Sequence, residues 1–99
     1  MSLIRKGTRF LVLNDFNVTA LVHWQSPMTS GLPCIIEKGI ILVAFSDSVP
    51  VIGAVSCIPE DVDAFQRVHV PKEIRNDTRF AGISFVLGKQ QIEAYLKII

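Results

Sequence analysis

Two histidines, His23 and His69, and two cysteines, Cys34 and Cys57, are the most versatile chemical groups in this 99-residue sequence. Together they could supply four metal ligands, but no two of them stand at ligand spacing within one segment. No metal site is expected. No Gly-rich loop and no Gly-Lys-Ser/Thr run cradles a phosphate, so no cofactor is expected either. Nucleophilic catalysis needs a serine or cysteine, a base, and a group that orients the base. Gly82-Ile83-Ser84-Phe85-Val86 carries only the first half of a nucleophile elbow. Ser84 reads instead as a strand residue facing solvent or a neighbouring backbone. An enzyme built on this chain would assemble its site from dispersed residues such as His23, His69, Cys34 and Asp47. The acidic group Glu60, Asp61 and Asp63 lacks the alternating ligands and the glycine turn of a calcium loop. It reads as the charged start of a helix.

Binding chemistry is more visible than catalysis. Trp24-Gln25-Ser26-Pro27-Met28-Thr29 leaves a strand and opens a loop, and loops on rigid scaffolds carry a large share of binding sites. Tryptophan and methionine are enriched at interfaces. Trp24, Gln25 and Met28 are therefore candidate contact residues, against the plainer reading that Trp24 caps the core. Arg67, His69, Lys72, Arg75 and Arg79 form the main basic concentration, flanked by Phe65 and Phe80. Arg67 and His69 join the candidates, and a nucleic-acid face over Arg67–Arg79 is a further alternative. Glu73 and Asp77 dilute that face. A formal net charge of +1 makes no strong positive field, which disfavours nucleic acid as a partner.

Each cysteine is flanked by apolar residues and reads as a buried, reduced, unreactive thiol. The longest apolar run, Ile40–Phe45, has the length of a strand and not of a membrane helix. The first residues do not read as a secretory signal, so a cytoplasmic protein is expected. Hydrophobic residues make up 49% of the chain, more than one small core readily hides. The apolar ends Leu3-Ile4 and Leu96-Lys97-Ile98-Ile99 point to a homodimer formed through a C-terminal helix or an edge strand.

The elements that must position these residues are short. Thr8–Asn14 and Val18–Trp24 read as strands joined by a tight turn at Asp15-Phe16-Asn17. In the second strand Val18, Ala20, Val22 and Trp24 share one face, and Thr19, Leu21 and His23 share the other. Gln25–Leu32 reads as a loop because of its turn-forming residues. Pro33–Lys38, Ile40–Phe45 and Val51–Ile58 read as further strands, the last bent at Gly53. Pro59-Glu60-Asp61 starts a helix of one or two turns, with Pro59 at its first position. Arg67–Val70 returns to strand alternation, Pro71–Asp77 is a connection, and Phe80–Leu87 is the last strand. Lys89–Ile99 places Ile92, Tyr95, Leu96 and Ile99 on one stripe of an amphipathic helix.

These elements describe one domain over residues 1–99. It is mainly β, a small antiparallel barrel or strongly bent sheet with a short central helical turn and a C-terminal helix. Ile36-Glu37-Lys38-Gly39-Ile40-Ile41-Leu42-Val43 resembles the Lys-Gly turn before the central strand of Src-homology-type small barrels. That resemblance implies barrel topology alone. The family's paired groove tryptophans are absent, and Gln25–Leu32 carries no charge where an acidic loop belongs. The functional expectation is a non-enzymatic module that binds a protein partner or a second copy of itself, with no membrane partner.

Overall fold

The computed structural model describes residues 3–26, 28–50 and 52–99. Pro27, within the expected loop, and Val51, the expected start of a strand, lie outside the described residues. The elements are β1 (Arg9–Val12), β2 (Phe16–Trp24), β3 (Thr29–Ile36), β4 (Ile41–Ala44) and β5 (Val55–Pro59). They continue with α1 (Val62–His69), α2 (Lys72–Arg75), β6 (Phe80–Leu87), α3 (Lys89–Tyr95) and β7 (Leu96–Ile98).

All seven strands join one antiparallel sheet in the order β3-β2-β6-β5-β4-β1-β7. The mainly β reading stands. The sheet has two edges, β3 and β7, so it is open and not a closed barrel. The Lys38-Gly39 turn does precede β4. Gly39 takes a φ of +93°, a region that favours glycine, and Ile40 N donates to Glu37 O at 3.2 Å.

One face of the sheet holds the core. Phe10, Val12, Ala20, Val22, Ile36, Leu42, Ala44, Val55, Cys57, Ile83, Phe85 and Leu87 are all buried and occupy alternate strand positions. The two-faced reading of β2 is observed, with Ala20 and Val22 buried and Thr19 exposed. Each helix adds to the same face. Phe65 of α1 meets Phe85 edge-on at 5.4 Å, Tyr95 of α3 stacks on Phe16 at 4.9 Å, and Ile74 of α2 packs against the cluster.

Several local expectations are corrected. Residues 15–17 do not close a hairpin, because β1 pairs with β4 and β7 while β2 pairs with β3 and β6. The long loop over Gln25–Leu32 shrinks to residues 25–28. Ser30, Gly31 and Leu32 are strand residues, since an edge strand has a single neighbour to satisfy. Pro59 ends β5 in the core, and the helix start passes to Asp61, whose Oδ1 accepts from Ala64 N at 3.1 Å. Arg67–His69 is helix and not strand. Gly53, at φ +70°, turns the chain before β5 instead of bending the strand.

The C-terminal helix stops at Tyr95, and Leu96–Ile98 pair with Phe10–Val12. The apolar stripe is therefore split. Ile92 and Tyr95 pack from a helix, Leu96 is buried from a strand, and Ile99 lies beyond it.

Candidate functional site

An apolar concavity lies where α1 crosses the ends of β4 and β5. Asp61 fixes the first turn of α1 and so sets which residues face the sheet. Phe65 points inward. One turn later the His69 ring packs on Phe65, with centroids 4.3 Å apart. Val68, three residues from Phe65, is 73% exposed at the mouth. Gly39, Ile40 and Ile41 with Pro59 form the opposite wall, and the groove encloses about 400 Å³.

Its rim is acidic. Glu37 Oε1 lies 3.6 Å from His69 Nε2. Glu60 accepts two hydrogen bonds from Arg9, at 2.6 and 3.0 Å. That bidentate bond holds the Glu60 carboxyl below its usual range and pushes Arg9 further up. Asp61 completes the rim while capping α1.

Of the residues expected to bind, only His69 lines this groove. Arg67 shares α1 but is exposed and does not line it. Trp24 and Met28 line a separate cleft of about 240 Å³ together with Ser26 and Arg79. There Trp24 Nε1 donates to Ser30 Oγ at 3.2 Å, and Phe80 meets the indole edge-on at 6.3 Å. The Arg79 guanidinium lies 5.9 Å from the ring centroid. Arg79 also grips Asp77, which lowers that carboxyl to about 2. Gln25 is exposed, and its backbone N–H donates to Arg79 O at 2.7 Å.

The dispersed enzymatic set does not converge. Asp47 accepts from Lys6 N at 2.8 Å, His69 lies beside Glu37 and Phe65, and Cys34 sits on β3. His23 shares a 2.7 Å hydrogen bond with Ser84, the one histidine–hydroxyl contact among the described residues. Ser84 is thus neither solvent-facing nor bonded to backbone as expected, but 4% exposed and tied to a side chain. Among the described residues no carboxylate hydrogen-bonds His23, and no group of three or more His, Cys, Asp or Glu gathers as a metal site.

The basic stretch is also partly committed. Arg75 Nε donates to Val70 O at 3.0 Å, Arg79 to Asp77, and Phe65 is turned into the core. Phe65 therefore offers no stacking platform beside the cations. The groove residues Ile40, Ile41, Pro59 and Val68 carry no functional signal in the sequence because they are apolar and come from separate segments. The detectable signal was Phe65 and Val68 at helical spacing.

The chain matches no protein-family model, and no curated protein or solved structure matches it significantly.

Proposed function

We propose that this chain is a non-enzymatic binding module whose groove beside α1 receives an apolar side chain next to a cationic one, carried by a protein partner. The observation that carries this reading is the groove's composition: an apolar floor of Ile40, Ile41, Pro59 and Phe65 under a rim where Glu37 and Asp61 stand beside the Glu60 carboxylate that Arg9 already pairs. Such a site rewards burial of a hydrocarbon chain and favours a positive group at its mouth. Among the described residues no acid orients His23 against the buried Ser84, which supports binding over catalysis.

The test uses n-octylammonium and n-octanoate, which share a chain and differ in charge. In an amide NMR titration, octylammonium is expected to shift Gly39, Ile40 and residues 64–69 more strongly than octanoate does. Val68→Asp should weaken that response. Equal responses to both probes, or shifts clustered elsewhere, would overturn the reading.

Self-association is the second reading of the partner. Ile98, exposed on the edge strand β7, favours it, although the C-terminal helix ends at Tyr95 and does not present that residue.

A further inference from the structure

The three carboxylates on the rim of the groove beside α1 are not equally free. Glu60 spends its charge on Arg9, which donates to both of its oxygens. Asp61 accepts from Ala64 N and lies against the positive end of α1, so part of its charge is offset within its own helix. Glu37 has neither kind of partner. It stands at the turn between β3 and β4 with its side chain 57% exposed. Among the described residues its one charged contact is the His69 ring, whose Nε2 lies 3.6 Å from Glu37 Oε1.

His69 is fixed in this place by packing. Its ring lies on Phe65, tilted by 31°, and its side chain is only 13% exposed. The charged groups it shares the groove with are Glu37 from the turn after β3 and, at the start of α1, Asp61 and the paired Glu60. Asp63 and Arg67 of α1 and Lys72, Glu73 and Arg75 of α2 do not line the groove. Histidine is the side chain that ordinarily changes charge between pH 5 and 8, while carboxylates, lysine and arginine ordinarily keep theirs over that interval. A proton taken up by His69 therefore lands against the one rim charge that nothing else offsets.

We propose that Glu37 is the residue that selects a cationic ligand in this groove, and that protonation of His69 switches that selection off. With His69 neutral, Glu37 presents an uncompensated negative charge beside an apolar floor. An ammonium group is held there while its hydrocarbon chain lies on Ile40, Ile41 and Phe65. When His69 gains a proton, the imidazolium and the Glu37 carboxylate cancel, and an arriving cation must share the carboxylate or displace the ring. Burial of the hydrocarbon chain is unaffected, so a neutral ligand of the same length is indifferent to the proton. The coupling is reciprocal: a bound cation disfavours the protonated ring by the same factor. This selection rests on the groove's reading as a receptor for an apolar chain beside a cationic group, and adds which residue reads the charge and what turns it off.

Titrations with n-octylammonium and with n-octanol at about pH 8 and about pH 5.5, read from the Gly39 and Ile40 amides, test it, because carboxylates and alkylammonium groups ordinarily stay charged over that interval. Octylammonium is expected to bind roughly three- to tenfold more weakly at the lower pH, the effect of one opposing charge a few ångströms away in a partly wet site. Octanol should bind equally at both. His69→Gln should bind octylammonium equally at the two pH values. Glu37→Gln should lose both the pH dependence and the preference for octylammonium over octanol. Asp63→Asn, which removes an acid outside the groove, should behave as the parent does. In the unaltered chain, octylammonium should move the midpoint of the His69 ring-proton titration to lower pH, a readout independent of any variant's folding. A pH-independent affinity, a pH dependence that survives in His69→Gln, a preference that survives in Glu37→Gln, or an unmoved His69 midpoint would each overturn the proposal while the groove still bound the cation. Absence of an octylammonium response in the groove at either pH would overturn this proposal and the reading beneath it together.

Discussion

The two faces of the sheet share some large apolar residues, and these have opposite fates. On β6, Ile83, Phe85 and Leu87 point to one side and are buried, while Val86 points to the other and is half exposed. On β4 and β5, Leu42 and Cys57 face inward while Val43 and Ile58 face outward. Hydropathy separates the faces on β2, where Thr19 and His23 alternate with Ala20 and Val22, but not on β4, where both faces are apolar. What separates them is where three helices deliver Phe65, Ile74 and Tyr95. A buried face here is made by what comes to lie on it, and Val86 stays half exposed because none of these three side chains reaches it.

The strongest way to break this comparison is to truncate neighbours on β6. Phe85→Ala should cost about 3–5 kcal/mol, because it empties a packed aromatic site and leaves a cavity. Val86→Ala should change stability by less than about 1 kcal/mol in the monomer, since the side chain is already half in water. Urea unfolding at low protein concentration compares the two. Equal losses would mean that the outer face is as tightly packed as the core.

The cysteines sharpen the comparison within the core face. Burial pushes the Cys57 thiol up to about 12, and pushes Cys34, half-buried on the edge strand, up by less. A thiol pKa raised by folding stabilises the protein fully at pH values below the unfolded thiol pKa of about 8.5. That contribution is lost as pH rises from there toward about 12. Unfolding measured between neutral and strongly alkaline pH should show this loss, and Cys57→Val should reduce it. Native thiol labelling should reach Cys34 before Cys57.

A smaller effect is expected on the outer face at Ser84. Ser84→Ala removes the 2.7 Å bond to His23 and should cost about 1 kcal/mol in urea unfolding. The smallest effect is local. The carboxyl of Asp77, held down by Arg79, should titrate near 2 by NMR. Arg79→Met should return it toward the ordinary carboxylate range. The stabilising effect of this depressed pKa is present above the unfolded value of about 3.9 and is lost as pH falls toward 2.

Much of this architecture is legible in the residues. Phe80–Leu87 appears with its observed bounds because its inward positions are large and strictly alternate. Ile41–Ala44 is recognisable because both of its faces are apolar. Thr29–Leu32 misleads because Ser30 and Gly31 are turn formers tolerated in an edge strand that satisfies one neighbour. Arg67–Val70 alternates like a strand, but Asp61 caps a helix that runs through it. Leu96–Ile98 fits a helical stripe equally well; the strand forms because β1 offers Leu11 and Val12 as partners, and that pairing joins the two ends of the sequence. Trp24 and His69 were visible as distinctive side chains. That they serve separate clefts was not, because nothing local tells which distant segment will face them.

The position of β6 has a kinetic consequence. Every hydrogen-bonded ladder between the β2–β3 hairpin and the other four strands passes through residues 80–87. Until that segment docks, the earlier strands form two fragments with no ladder between them, and joining them closes long loops at an entropic cost. Long-range pairing of this kind slows folding. The sixth strand is therefore the seam along which the two halves of the sheet are joined.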